Sequence, residues 1–486
     1  MKRTLTVIRA LGLMLMVFSL AYVMPVVTAL IHGDSIMQLD FLLAMVWTAA
    51  FGCLMWLLTR HRKGELSVRH GYLLVVAMWT AMPAFGTLPL LLSIPGLSFT
   101  DAYFETMSAM TTTGATVLTG LDDMPPSINV WRHELQWLGG LGVIVLAVAV
   151  LPLLGIGGRQ LFKAETPGPM KDSSLAPRIA DTARNLWAVY LVITLACIAS
   201  LKWAGMSWLD AVCHGFSTTG LGGFSTHDAS VGYFNSPLIE FIMIVFMLFA
   251  VVNFATHFLV WRSRSPSAYL RDVEAQTALG LILFSCLAIA FFLWWNGVYA
   301  EFTTALRHAS FNVVSIGASS GFASLDYAQW PIFAPLWMMF IGCIAASSGS
   351  TGGGIKMIRT LVLVKQAGRE FVKLLHPSAV NPLKIGGQVI PNGVVFSVLG
   401  FIFLYFMTIA TLTFVLLISG LDFITAFSAT LACVNNFGPG LGAVGPASNY
   451  AGLTDFQTWV CTFGMLVGRL EIFTVLILFT PQFWRR

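Results

Sequence analysis

Apolar residues run along this chain in ten long blocks, at 7–31, 39–58, 72–92, 137–154, 186–203, 238–261, 279–295, 331–346, 394–418 and 459–479. Crossing roughly 30 Å of hydrocarbon takes about 20 apolar residues in a helix. Backbone groups cannot stay unpaired in lipid, so each block is predicted to be a spanning α-helix. Lys2, Arg3 and Arg9 give the first block the look of a signal peptide, but its apolar run is too long and no A-x-A-like site follows. It is read as a retained span. The expected fold class is an all-α polytopic membrane protein with ten transmembrane helices.

Four outer connections carry more pattern than a loop needs. After residues 92, 203, 295 and 418 comes a half-length apolar or amphipathic run that stops at a Gly-containing turn. A helix of 10–13 residues rises only about 15–20 Å. It must enter and leave the bilayer on one side, which is tolerated only inside protein or beside water. Aligning the turns on Gly114, Gly223, Gly321 and Gly438 gives four like-oriented periods of helix, half-helix, turn and helix. Four such copies can close around one axis along the membrane normal. The expected divisions are 1–69, an N-terminal helix pair; 70–184, repeat 1; 185–273, repeat 2; 274–392, repeat 3; and 393–486, repeat 4. Asp101, Asp210 and Asp422 are the expected N-caps of three half-helices, with Thr303 or Thr304 in the third repeat. The four C-termini would then bring partial negative charge together at mid-membrane, which favours a cation. Successive carbonyls aimed at an axis require φ values that L-residues resist, which suits Gly at each turn. Close helix packing is the other use of such glycines.

Composition narrows the reading. Only 10% of residues are charged, 57% are apolar, the net charge is +5 and the mean hydropathy is +0.80. A disordered chain, a disulfide scaffold and a soluble enzyme are excluded, and the small positive excess forms no patch for nucleic acid. With the N-terminus inside, all but five of the 27 Lys and Arg fall in inner segments, the exceptions being Arg132, Lys202, Arg307, Lys356 and Arg469. The positive-inside rule thus agrees with ten spans and two cytoplasmic termini. Most acids, including Glu105, Asp122, Asp210, Asp228 and Glu240, fall outside. They are either what that rule leaves behind or an outer vestibule that gathers cations. The seven Cys show no C-x-x-C and read as small buried residues.

The eighth block is interrupted by Ala345-Ala-Ser-Ser-Gly-Ser-Thr-Gly-Gly-Gly354, which cannot hold a helix. It lacks the G-K-[ST] ending of a phosphate-binding loop. It is either a packing kink or an unwound segment lining a pore, of a kind that weak contacts would release cheaply. Arg469 lies within the last block, where a charge is costly. It either faces an aqueous path or pairs with another helix. Glu471, two residues on, faces elsewhere.

The segments Thr111-Thr-Thr-Gly-Ala115, Gly222-Gly-Phe-Ser-Thr-His-Asp228, Ser350-Thr-Gly-Gly-Gly-Ile-Lys356, Asn435-Asn-Phe-Gly-Pro-Gly440 and Gly468-Arg-Leu-Glu471 resemble the Trk/Ktr/HKT potassium transporters, most closely the bacterial TrkH/TrkG branch. The resemblance spans essentially the whole chain. It implies four M1–P–M2 units around one pore in the bacterial inner membrane, and potassium as the transported ion, with no cofactor in this chain. It places a potassium filter at Thr112, Thr113 and Gly114; Leu221, Gly222 and Gly223; Ser319, Ser320 and Gly321; and Asn436, Phe437 and Gly438. It makes Ser347, Ser348, Gly349, Ser350, Thr351, Gly352, Gly353, Gly354 and Lys356, with Arg469, an intramembrane gate. It further implies a homodimer and a TrkA-like cytosolic, nucleotide-binding regulatory ring docked on inner loops 155–184 and 365–392, which otherwise read as basic segments near anionic lipid. Two other functions fit the pattern less well. A cation-coupled symporter of another solute predicts inverted repeats, and an intramembrane enzyme needs a nucleophile–base pair that is not found.

Overall fold

The computed structural model describes residues 2–61, 67–142 and 179–485. Helix α1 (Lys2–Phe18) continues through a tight turn into α2 (Val23–Ile31), and α3 (Ser35–Thr59) packs beside both. Gly12 and Gly52 permit the contact: a Cβ on either would sit 2.7 Å from the other's carbonyl oxygen. There follow α4 (Val68–Ser93), α5 (Phe99–Met110) and α6 (Pro126–Trp137), then α7 (Ile179–Trp203), α8 (Trp208–Gly220), α9 (Pro237–Val251), α10 (Phe254–Ser263), α11 (Val273–Trp295) and α12 (Phe302–Gly317). The remainder is α13 (Phe333–Ile344), α14 (Met357–Leu375), α15 (Asn392–Ile418), α16 (Phe423–Asn435), α17 (Asp455–Arg469) and α18 (Glu471–Leu476). Among the described residues the sheet content is one small hairpin, Lys384–Ile385 against Gln388–Val389.

Six of the described helices are long and apolar enough to cross a membrane, or eight spans if two bent pairs each count as one. Phe396, Phe403, Phe406 and Phe414 of α15 lie exposed, as lipid-facing side chains do. The core joins the N-terminal helices to the rest through Trp131. Its ring stacks on Tyr22 at 4.5 Å and its Nε1 donates to Gly86 O at 3.0 Å. The Tyr22 hydroxyl donates to Phe85 O at 2.8 Å. All seven Cys are free and six are buried, as read from the sequence.

Three spans differ from their expected form. Block 137–154 is described only to 142, and its helix begins earlier, at Pro126, a residue suited to a first turn. Hydropathy counts Arg132, His133, Glu134 and Gln136 as loop, yet all are buried inside α6. Block 238–261 breaks by 95° between α9 and α10, and block 459–479 by 106° between α17 and α18. At the first break Asn253 caps α10, its Oδ1 accepting from Ala255 N at 2.9 Å. Arg62, Lys63, Arg159, Lys163, Lys171, Arg178 and Arg486, counted as inner charges, lie outside the described residues, as does most of loop 155–184.

Candidate functional site

The short helices α5, α8, α12 and α16 end in one shared backbone pattern. The residue two before each aligned Gly is left-handed: Thr112, Leu221, Ser319 and Asn436 have φ between 53° and 61°. The N–H of the following residue bonds five positions back, from Thr113 to Ser108, Gly222 to Ser217, Ser320 to Ser315 and Phe437 to Ala432, at 2.7–3.1 Å. This is a Schellman ending. Gly114, Gly223, Gly321 and Gly438 then take φ of 76–97°, which is why Gly stands there.

These glycines also meet one another. A Cβ on Gly438 would lie 2.7 Å from Thr113 O, while one on Gly114 would strike Gly222 O, one on Gly223 would strike Ser320 O and one on Gly321 would strike Phe437 O. Each turn abuts the next, the fourth abuts the first, and the ring closes. All twelve expected residues are in it. The carbonyls of Thr112, Leu221, Ser319 and Asn436 accept no hydrogen bond among the described residues. On one side an open cavity of about 560 Å³ touches all four glycines, lined also by Arg132, His227, Asp228 and Tyr450.

The broken-helix segment lies on the other side of the ring. Thr351 Oγ1 donates to Thr219 O at 3.1 Å. A Cβ on Gly352 would lie 3.1 Å from Ala318 O, and one on Gly353 would strike Asn435 O. The segment thus sits against the ends of α8, α12 and α16. It is well bonded, contrary to the expectation of weak contacts. Ser347 N donates to Val251 O at 3.1 Å, and Phe254 N to Gly349 O at 3.2 Å, so the segment satisfies both open ends of the α9/α10 break. Glu274 Oε1 accepts from Ser348 N at 2.6 Å and from Ile358 N at 3.0 Å, clasping both flanks. Lys356, at φ 75°, turns its Nζ back onto Gly352 O.

The family described as TrkH, Cation transport protein, matches residues 38–486. The chain belongs to the TrkH family. It is 44% identical over 478 residues to the Trk system potassium uptake protein TrkH of Salmonella typhimurium, covering 98% of each chain. It is 40% identical over 481 residues to the Trk system potassium uptake protein TrkG of Escherichia coli, covering 98% of this chain and 97% of that one. The crystal structure of the potassium transporter TrkH from Vibrio parahaemolyticus matches with a TM-score of 0.90 at 42% identity, over 99% of this chain and 100% of that one. TrkH-family proteins are membrane transporters, so this chain is a multi-pass transporter and not an enzyme.

In this TrkH-family chain Arg469 ends α17 instead of lying mid-helix. Its Nη1 donates to Thr112 Oγ1 at 3.1 Å and Thr351 O at 2.8 Å. Its Nη2 donates to Gly139 O at 2.6 Å and Gly140 O at 2.7 Å. One guanidinium therefore joins the first turn of the ring, the broken segment and the end of α6. Glu471, two residues on, pairs with Arg359 of α14, 2.5 Å apart.

The helix starts need correction. Ser98 and Ser207 are the caps of α5 and α8, each accepting at 3.0 Å from the N–H of Asp101 and Asp210, which sit in the first turn. Asp422 is a true cap, accepting from Thr425 N at 3.0 Å. The cap position of α12 is Glu301, without a side-chain bond, not Thr303 or Thr304. The outer acids are also less free than the charge count implies. Glu105 is buried against Arg132 at 2.8 Å, and Glu240 against Arg307 at 2.7 Å. Partial burial pushes Asp122 up, but hydrogen bonds from His227 and Asp228 N outweigh it and hold this carboxyl below its usual range.

Sequence reasoning missed Gly139 and Gly342, and gave Gly468 no packing role of its own. A Cβ on any of them would press on Met110 O, Ile316 O or Val434 O, near the ends of α5, α12 and α16. It also missed Gln136, Glu274 and Tyr450. For Gln136 there was a usable signal, the dense polar run Arg132–Gln136 beside an apolar block.

Proposed function

We propose that this chain takes up potassium ions across the bacterial inner membrane, as the names of its relatives say of them. In this reading ten spans, with both termini cytoplasmic, form four like-oriented M1–P–M2 units around one pore, divided as 70–184, 185–273, 274–392 and 393–486, with residues 1–69 as a peripheral pair. The ring of Thr112 to Gly114, Leu221 to Gly223, Ser319 to Gly321 and Asn436 to Gly438 is the potassium filter. Carbonyls of the ring replace the ion's water, and the C-terminal dipoles of α5, α8, α12 and α16 add negative potential. Residues Ser347 to Gly354 with Lys356 and Arg469 form the gate beneath it. The two cations lie where an entering ion would be drawn, so the closed path carries its own positive charge. A cytosolic nucleotide-binding ring moves this gate, and two copies of the chain associate.

One observation carries the reading: four helix ends of identical backbone form, closed into a ring through their glycines. Gly114→Ser tests it. Any Cβ at φ 83° here meets Gly222 O and the Gly223 backbone, so the ring must shift. The expected result is stronger inhibition of rubidium uptake by sodium in vesicles of the purified protein. An unchanged sodium-to-rubidium ratio would sink the filter assignment.

A further inference from the structure

Two side chains reach filter carbonyls from behind. On α6, Gln136 is fully buried, and its Nε2 donates to Gly222 O at 2.6 Å. Its Oε1 accepts from Ser217 Oγ at 2.6 Å and from Phe224 N at 3.2 Å. One amide thus spans the end of α8 and both arms of the second turn. At the opposite quadrant, the Tyr450 hydroxyl donates to Gly438 O at 2.8 Å. Tyr450 N donates to Thr116 O at 2.8 Å, and its ring lies 5.3 Å from that of Phe104 on α5. Tyr450 therefore fastens the fourth turn to the first unit, across the seam that closes the ring.

The matching carbonyls elsewhere take no such donor among the described residues: Thr113, Ser320 and Phe437 at the position of Gly222, and Gly114, Gly223 and Gly321 at that of Gly438. The ring is alike in backbone and unlike in support. A carbonyl that already accepts a strong hydrogen bond is fixed in position and has part of its charge spent. Sodium, being smaller than potassium, is coordinated well only if carbonyls close in around it, and fixed carbonyls cannot do so.

We infer that Gln136 and Tyr450 are positioning residues that brace the second and fourth quadrants of the filter, and that preference for potassium over sodium depends on both donors. The inference rests on the filter reading above. Neither side chain needs to touch the ion. Each acts through the carbonyl it holds.

Tyr450→Phe removes one hydroxyl and keeps the ring against Phe104. Gln136→Met keeps length and removes the donor. Each full-length variant is purified and reconstituted in liposomes, and sodium inhibition of rubidium uptake is measured beside the thermal midpoint. A neutral hydrogen bond is worth about 1 kcal/mol, so each variant is expected to lose about fivefold in the sodium-to-rubidium ratio of half-saturating concentrations. A purely structural role predicts a lower midpoint and lower uptake of both ions at an unchanged ratio, and that result overturns the inference. If Gln136→Met does not survive purification, Tyr450→Phe decides alone. A ratio unchanged in Tyr450→Phe but shifted in Gly114→Ser refutes the bracing and leaves the filter standing. A ratio unchanged in both refutes the filter itself.

Discussion

In the proposed gate Arg469 has two roles that pull its substitutions in different directions. Its charge lies beside the proposed ion path, and its four hydrogen bonds tie Thr112, Thr351, Gly139 and Gly140 together. Two unit charges 6 Å apart at an effective dielectric of about 20 repel by roughly 3 kcal/mol, which is about a hundredfold in local occupancy. Arg469→Ala is therefore expected to raise rubidium flux by up to about that factor, with water and counter-charges reducing it. It is also expected to lower the thermal midpoint, because hydrogen bonds to a charged group are worth about 1.5–3 kcal/mol. Arg469→Lys keeps the charge, but one ammonium cannot span four acceptors, so its flux should fall between the two. Flux and thermal unfolding measured on the same preparations check this. An Ala variant as stable as the parent and with parental flux would refute both roles.

At the scale of one element, the half-helices show how far a local signal goes. The S-x-x-D spacing of Ser98 to Asp101 and Ser207 to Asp210 was present in the sequence, but reading the acid as the cap moved each start by three residues. Three of the Schellman endings were not legible, because left-handed backbone at Thr112, Leu221 and Ser319 runs against residue preference and persists only where packing enforces it, whereas Asn436 is a residue that adopts it readily. Asp422 offers a test by pH. Hydrogen bonds from the Thr425 side chain and backbone hold its carboxyl below its ordinary value of 3.8. A depressed folded value contributes stability that is present above the unfolded value and is lost as pH falls through the folded one. The midpoint advantage of the parent over Asp422→Ala, about 1 kcal/mol for a cap, should therefore hold at neutral pH and shrink below pH 3.8. Asp422→Asn keeps the acceptor and should not show this acid dependence. Thermal unfolding across pH in detergent would expose a mistaken assignment as three parallel curves.

At the scale of the whole molecule, the segment 345–356 is the keystone. It completes the α9/α10 break, is clasped by Glu274, touches the ends of three half-helices and accepts from Arg469. Removing residues 348–353 should raise rubidium flux in the absence of any cytosolic partner. Sodium discrimination should persist, because no filter residue is removed. Stability should fall, because Thr219 O, Glu274 and Arg469 all lose partners. A folded deletion protein that still conducts only when a regulatory partner is supplied would show that the segment is not the barrier.

The sequence by itself determined the membrane setting, the four turn positions and the interruption of the eighth block. Each follows from local composition: apolar length for the spans, Gly-bearing turns after half-length runs, and a stretch too small and flexible for a helix. Only the tertiary structure decided the breaks at Val252 and Leu470, the partners of Arg469, and the hydrogen bonds of Gln136 and Tyr450 to Gly222 O and Gly438 O. No Gly or Pro marks the break at Val252, and the lone Gly468 before Leu470 does not by itself end a helix. At Val252 the helix parts because the segment around Ser347 and Gly349 supplies the hydrogen bonds that the backbone gives up. A chain read in order cannot show that, since the groups that satisfy one residue lie about a hundred positions away.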